Sequence, residues 1–517
     1  MKPIRLISGF LTVGVWTLLS RILGFVREIM ILAFIGPGPV MDAFVAAFRL
    51  PNMFRRFFAE GAFNAAFVPM FSKRYEAGED PQGFANQAFN GLAFIVLTLT
   101  ALAMIFMPAF VWATAEGYTA DGRFDLTVGY GRIVFPYIVF MSLSALFSGV
   151  LNATGRFAAA AAAPVLLNIF VIIAMASAAL LDQSIITWLV WTVPIAGIAQ
   201  LTLVWVAASR AGVSIRPGRP RWSPEMKHLV VVAIPAALSS GVMQINLLVG
   251  QQVASRTESA VSWLFAADRL YQLPLGVVGI AVGIVLLPDL SRRLRDGDHE
   301  GSRHGLSRAA EISLALTIPS AVALMVIPLP LVSVLFERGQ QTADDSAAIA
   351  LATAIYGFGL PAFVMQKVLQ PLYFAREDTR TPFRFALWAM LINAVLAVGL
   401  YILLDSLGWI APAIATTIAG WAMVWMLARG ARPMGEVARF DARFHKRIWR
   451  IIAASIVMGA VLAGVNLLLG PIIMEPGWRY LALLILVGSG MVSYFLIGRL
   501  LGAFNMYELR QSLRRRG

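Results

Sequence analysis

The sequence predicts an all-α polytopic membrane protein of about fourteen transmembrane helices, built as two six-helix halves plus two further helices. Three observations predict it. First, 59% of the 517 residues are hydrophobic and only 14% are charged, against about 45–50% and about 25% in soluble domains. Second, apolar runs of about 20 residues, long enough to cross a bilayer, recur from end to end. Third, basic residues alternate from one connection to the next, as the positive-inside rule requires. No long polar stretch remains for a separate soluble domain.

The spans are read in order. Span 1 covers 8–35; its basic start resembles a secretory signal, but no small-residue cleavage site follows, so a retained helix is expected. Span 2, at 40–72, contains Pro51, which removes a backbone donor and should kink or break the helix. Spans 3 to 6 follow at 84–114, 127–154, 157–181 and 185–209. Spans 7 to 12 are read at 224–252, 258–290, 306–335, 344–375, 380–404 and 409–428. Spans 13 and 14 lie at 447–469 and 478–503.

An even count puts both termini on one side. That side carries Lys73, Arg74, Arg156, the arginines of 210–221, those of 292–308 and 429–447, and the Arg514–Arg516 tail. The other side carries only Arg123, Arg256, Arg338 and Arg479, beside acids such as Glu116 and Asp121. The basic side is therefore expected to be cytoplasmic, with both termini there. This topology absorbs most of the net charge of +14, so no nucleic-acid partner is expected. With no cysteine in the chain, disulfide and thiolate chemistry are excluded.

Two echoes indicate an internal repeat. "RLPNMFRRFFAEGAFNAAFVPMFSKRYEAGED" and "DRLYQLPLGVVGIAVGIVLLPDLSRRLRDGDHE" align with Pro69 and Pro288 219 residues apart. "YGRIVFP" and "YGFGLP" pair with Asn168 and Asn393 at offsets of 225–226. A repeat of six spans keeps orientation, so two parallel halves are expected with substrate between them. The expected divisions are 1–210, a linker at 211–224, 225–430, and 431–517 holding the unpaired spans 13 and 14.

Ionisable groups inside spans are costly and usually face a cavity. Here they concentrate in spans 1, 2 and 8: Arg21, Arg27, Glu28, Arg49, Arg55, Arg56, Glu60, Asp268 and Arg269, with Asp42 near the outer end of span 2. Arg132 and Lys367 stand apart, and a structural role suffices for each. Arg21, Gly24 and Glu28 share one helix face by their spacing, and Ser20 and Arg27 form the adjacent stripe. Asn52 follows Pro51 and could bond freed backbone groups or a ligand. The bland alternative is that arginines snorkel to headgroups or lock helices by ion pairs. The functional reading is an anion site, because guanidinium forks match phosphate oxygens and keep their charge. Glu28, Asp42, Glu60 and Asp268 would hold those arginines or trade partners with them.

At these residues the chain resembles a known family. "SRILGFVRE", "DAFVAAFRLPNMFRRFFAEGAFNAAFVP", "AVSWLFAADRLYQLPLGVVGIAVGIVLLP" and "REDTRTP" look like the MurJ/MviN lipid II flippases of bacterial peptidoglycan synthesis. The resemblance covers essentially the whole chain. It implies the MATE-like fold of the multidrug/oligosaccharidyl-lipid/polysaccharide exporters, with the two extra helices forming a groove for the undecaprenyl tail. It implies a monomeric inner-membrane transporter, not an enzyme, that takes lipid II, the undecaprenyl-diphosphate-linked disaccharide-pentapeptide, and contacts membrane lipids. Arg21, Arg27, Arg55 and Arg269 match the family's cavity arginines. Ser20, Glu28, Asp42, Asn52, Arg56, Glu60 and Asp268 fall on supporting motif positions, with Glu28 where an Asp is common. No cofactor is implied. A sodium site found in some members uses acids in spans 7 and 11; span 11 here has Asn393 and no acid, which argues against sodium coupling and leaves a monovalent cation or the membrane potential as the drives the resemblance implies. The rival reading is export of another lipid-linked oligosaccharide, or of drugs, on the same fold. A membrane enzyme is disfavoured by four histidines in all and no metal-ligand spacing.

Overall fold

A computed structural model describes residues 6–55, 62–473, 475 and 477–503, whose regular structure is helical with no strand among them. Eighteen α-helices are described. The first ten are α1 (Leu6–Phe34), α2 (Pro39–Arg55), α3 (Ala62–Ala77), α4 (Pro81–Ile105), α5 (Met107–Ala115), α6 (Arg123–Val134), α7 (Tyr137–Ala153), α8 (Phe157–Leu180), α9 (Ile185–Arg210) and α10 (Pro224–Ala254). There follow α11 (Ala260–Arg295), α12 (His299–Val326), α13 (Pro328–Phe336), α14 (Ala343–Phe374), α15 (Arg380–Leu403), α16 (Ala411–Gly430), α17 (Ala442–Ile473) and α18 (Arg479–Leu500). Ten helical segments among the described residues are long and apolar enough to cross a membrane. The other four expected spans correspond to α1, α2 with α3, α10 and α11, three of which hold the concentrated charges.

Proline redraws several spans. Span 2 is described as α2 and α3, with 56–61 outside the described residues, and α2 runs through Pro51 to Arg55. A single missing donor does not stop a helix whose neighbours stay bonded, and the Asn52 amide donates to the Phe48 carbonyl at 2.9 Å beside it. Spans 3, 4 and 9 each divide: α4 from α5 at Phe106, α6 from α7 at Phe135–Pro136, and α12 from α13 at Ile327. In the first and last of these a long helix is followed by a nine-residue helix with proline in its first turn. These two breaks lie about 220 residues apart, so the repeat read from sequence echoes recurs in the helices, with α8 and α9 matched by α15 and α16.

The chain forms two compact units, and the first comprises Met1–Ser262 with Arg338–Gln341. In it α1 packs on α8, α8 and α7 on α9, α2 on α6, and α10 against α3, α4 and α5. Phenylalanines four apart on α3 build one wall: Phe63, Phe67 and Phe71 stack at 5.2 and 5.6 Å, and Phe84 of α4 stacks on Phe67 at 5.6 Å. The Arg338–Gln341 segment joins this unit through the Gln340 amide, which donates to the Ala33 carbonyl at 2.9 Å. Gly339 there has φ +62°, and a Cβ would lie 2.0 Å from the Ala33 oxygen. Both the left-handed backbone and the contact require glycine. Gly339→Ala should therefore cost about 2 kcal/mol or more, read as a lowered unfolding temperature in detergent, whereas the exposed neighbour variant Gln340→Ala should change little.

The second unit comprises Trp263–Glu337 and Thr342–Gly517. Here α12 packs on α14 and α17, α14 and α15 on α16, and α17 on α18. Thr342 and Asp345 form a reciprocal capping box at the start of α14, and the Trp263 indole donates to Asp345 at 2.8 Å. The start of α17 is fastened to α12 by charge. Arg308 of α12 binds both oxygens of Asp441 at 2.8 and 2.6 Å, and it also bonds Glu311, which in turn accepts from Arg447 of α17. Further along, the Tyr494 hydroxyl of α18 donates to the Ala315 carbonyl of α12 at 2.6 Å. The apolar surface beyond, with Leu467 and Leu468 largely exposed on α17, has no protein cover among the described residues.

Candidate functional site

The α1 charges converge on one residue of α8. The Arg27 guanidinium donates to Asn168 Oδ1 at 2.9 Å and to Glu28 Oε1 at 2.6 Å. The Asn168 amide donates to the Ser20 carbonyl at 2.9 Å, and the Asn168 side chain lies against Gly24, where a Cβ would sit 3.6 Å away. Ser20, Gly24 and Arg27 are therefore the stripe that faces α8, set by the spacing of one helix turn and two. Glu28 is 4% exposed, and a buried carboxylate demands a partner; Arg27 supplies it. Arg27 is thereby fixed in direction, and its Nε makes no hydrogen bond among the described residues. Arg21, on the neighbouring face, is exposed. The helix thus carries one positioned guanidinium and one exposed one, groups suited to phosphate oxygens.

On α2, Arg55 is half-buried at the last helical residue. Arg56 and Glu60 lie outside the described residues. Asn52 uses its amide on its own helix, as described above. Asp42 has a different setting from the arginines. It is fully buried and accepts four hydrogen bonds: from Arg123 at 3.0 Å, the Ser259 amide at 2.9 Å, and the amide and hydroxyl of Ser262 at 2.9 and 2.6 Å. Arg123 in turn bonds the Ser255 carbonyl at 3.1 Å, lies over the Tyr118 ring at 4.4 Å, and bonds Asp121. That last bond holds the Asp121 carboxyl below its ordinary range. Asp42 is thus the centre of a knot joining α2, the start of α6 and the α10–α11 connection.

The second unit carries the remaining two. Arg269 of α11 stacks on Phe265, one turn earlier, at 4.4 Å from the ring centre, which orients its guanidinium without consuming a donor. Asp268 accepts a hydrogen bond from Gln272, one turn later. Asn393 on α15 is buried, with the Thr416 hydroxyl donating to it at 3.4 Å.

Sequence reasoning marked Asn168 only as a repeat echo and Arg123 only as a stray outer-side charge. An asparagine inside the apolar run "AAAPVLLNIFVIIAM" was the available signal for the first. Nothing in the spacing connects Arg123 with Asp42, because the knot gathers three segments far apart in the chain.

Comparisons with known proteins follow the same lines. The family described as lipid II flippase MurJ matches residues 31–488. A "Probable lipid II flippase MurJ" of Rhizobium tropici is 41% identical over 99% of this chain and 97% of its own length. Another, of Rhizobium meliloti (strain 1021), is 44% identical over 99% and 96%. Among solved structures, a lipid II flippase MurJ in an inward closed conformation has a TM-score of 0.79 at 25% identity, covering 94% of this chain and 98% of that one. An inward-facing multidrug resistance MATE family transporter of the MOP superfamily has a TM-score of 0.69 at 15% identity, covering 82% and 96%; this second likeness is one of fold alone.

Proposed function

We infer that this chain, which belongs to the lipid II flippase MurJ family, is a bacterial inner-membrane transporter that carries lipid II from the cytoplasmic to the periplasmic leaflet for cell-wall synthesis. It moves its substrate without covalent chemistry, by alternating access, as a monomer with both termini in the cytoplasm. The observation that carries the reading at residue level is the α1 arrangement, where Glu28 and Asn168 fix the Arg27 guanidinium in direction. We assign Arg21, Arg27, Arg55 and Arg269 to the lipid II diphosphate. A diphosphate is held by several charge-assisted bonds at once, each worth about 1.5–3 kcal/mol. Ser20, Glu28, Asn52, Asp268, Arg56 and Glu60 support those arginines, and Asp42 acts through the knot with Arg123. The paired helices α17 and α18, with their exposed leucines, are assigned to the undecaprenyl tail. The drive is assigned to the membrane potential, because α15 offers Asn393 and no acid for a cation.

The test is translocation in proteoliposomes holding the purified chain. Lipid II should be moved, and other undecaprenyl-linked sugars should be moved far more slowly. Equal rates for all of them would replace this substrate with a broader class of lipid-linked glycans.

A further inference from the structure

The connection between α9 and α10 is held by a ladder of side chains on α4. Gln82 Nε2 donates to the Ser214 carbonyl at 2.8 Å. Asn86 Oδ1 accepts from the Arg216 amide at 2.8 Å, and Asn90 Oδ1 accepts from the Gly218 amide at 2.7 Å. The register closes because four helical residues advance about 6 Å and two extended residues about 6.6 Å. Farther on, the Ser223 hydroxyl donates to Gln87 at 2.7 Å. Val213 and Ile215 are buried while Ser214 and Arg216 are exposed. The segment is therefore a strap with one apolar and one polar edge, laid along a helix instead of a strand.

Its location follows from α4. Asn90, Phe94 and Leu97 share a face by their i, i+4, i+7 spacing, and Phe94 and Leu97 are 59% and 55% exposed on a membrane-length helix. The strap thus lies on the bilayer-facing side of the first unit, reaching roughly 13 Å along α4 from its start. Backbone carried to that depth must have few open donors. Between 216 and 220, the amides of Arg216 and Gly218 are bonded to the ladder and residues 217 and 220 are prolines with none to satisfy, which leaves the Arg219 amide alone of the five outside the ladder. The groups turned outward are Arg216, Arg219 and Arg221, all exposed, and Trp222, 69% exposed. No acid occurs from 211 to 224.

We propose that this strap is a docking surface for anionic phospholipid headgroups. Tryptophan favours the headgroup level, and arginines reach phosphates from stems lying in the interface. A strap with a fixed register presents the three guanidinium groups together, where a free linker would first have to order them. Each arginine should strengthen anionic-lipid association about five-fold.

The test uses the purified full chain in nanodiscs containing brominated phosphatidylglycerol or brominated phosphatidylcholine. Subtracting the Trp222→Phe protein isolates Trp222 emission from that of the other tryptophans. Quenching should be stronger with phosphatidylglycerol, and the preference should vanish in R216Q/R219Q/R221Q. It should also collapse in the unmodified chain as salt is raised, an arm that needs no variant to fold. Equal quenching by the two lipids, or a preference that survives the triple substitution or high salt, would overturn the proposal.

Discussion

Arg27→Ala should abolish growth in a strain that depends on this protein, with lipid II transport lowered by about a hundred-fold or more. Two effects combine in that expectation. The substitution removes a guanidinium assigned to the diphosphate, and it takes the Arg27 ion pair away from Glu28, whose side chain is 5% exposed. Removing one partner of a buried pair costs about 3–5 kcal/mol, because the remaining charge has lost its compensation. A second substitution separates the effects. R27A/E28Q neutralises that carboxylate as well and should raise protein level and unfolding temperature, yet transport should stay absent. Recovery of transport in the double variant would mean that Arg27 is only a counter-ion. Arg27→Lys should fold and transport poorly, since an ammonium cannot bridge Asn168 and Glu28 in the geometry of a planar fork.

Asp42→Ala should be the most destabilising single change in the first unit. It deletes the acceptor of four hydrogen bonds and leaves Arg123, 4% exposed, with Asp121 as its remaining carboxylate. A loss of about 3–5 kcal/mol is expected, read as a large drop in unfolding temperature and in detergent-soluble yield. Asp42→Asn keeps the shape but turns one acceptor into a donor facing Arg123 or the Ser259 amide, so it should lose nearly as much. Ser262→Ala removes one hydroxyl bond and leaves the amide in place, for about 1 kcal/mol. The graded order Ala, Asn, Ser262→Ala is the signature of a charged acceptor at the centre of the knot. Equal, small effects for all three would show that the knot does not hold α2 to the α10–α11 connection.

The fold was legible because lipid imposes one rule on the whole chain: a spanning segment must be apolar and bonded within itself. Apolar length and the alternation of arginines therefore carry the architecture, and the MurJ and MATE likenesses agree with it. The breaks at Phe106 and Ile327 were not legible, since apolar residues continue on both sides and only the proline hints at a turn. The α1 charges were legible only in part. Spacing put Arg21, Gly24 and Glu28 on one face and Ser20 with Arg27 on the next, whereas Gly24 lies with Ser20 and Arg27 against Asn168, Arg21 is exposed and Glu28 is buried. Asp42 was less legible. The sequence grouped it with the acids that would hold the span arginines, while its actual partners come from positions 123, 259 and 262. Such convergence depends on tertiary packing and leaves no periodic trace. The α4 ladder lies between these cases. Gln82, Asn86 and Asn90 form a visible polar stripe, but their partner is an extended segment more than a hundred residues away.

The affinity of the purified protein for lipid II in detergent bears most directly on the arginine assignment, compared across the unmodified chain and Arg21→Ala, Arg27→Ala, Arg55→Ala and Arg269→Ala. Each loss should weaken binding about ten-fold or more, the equivalent of one charge-assisted bond, and inorganic diphosphate should compete with lipid II in the unmodified chain. Four well-folded variants that bind lipid II as tightly as the unmodified chain would contradict the assignment of these arginines to the diphosphate.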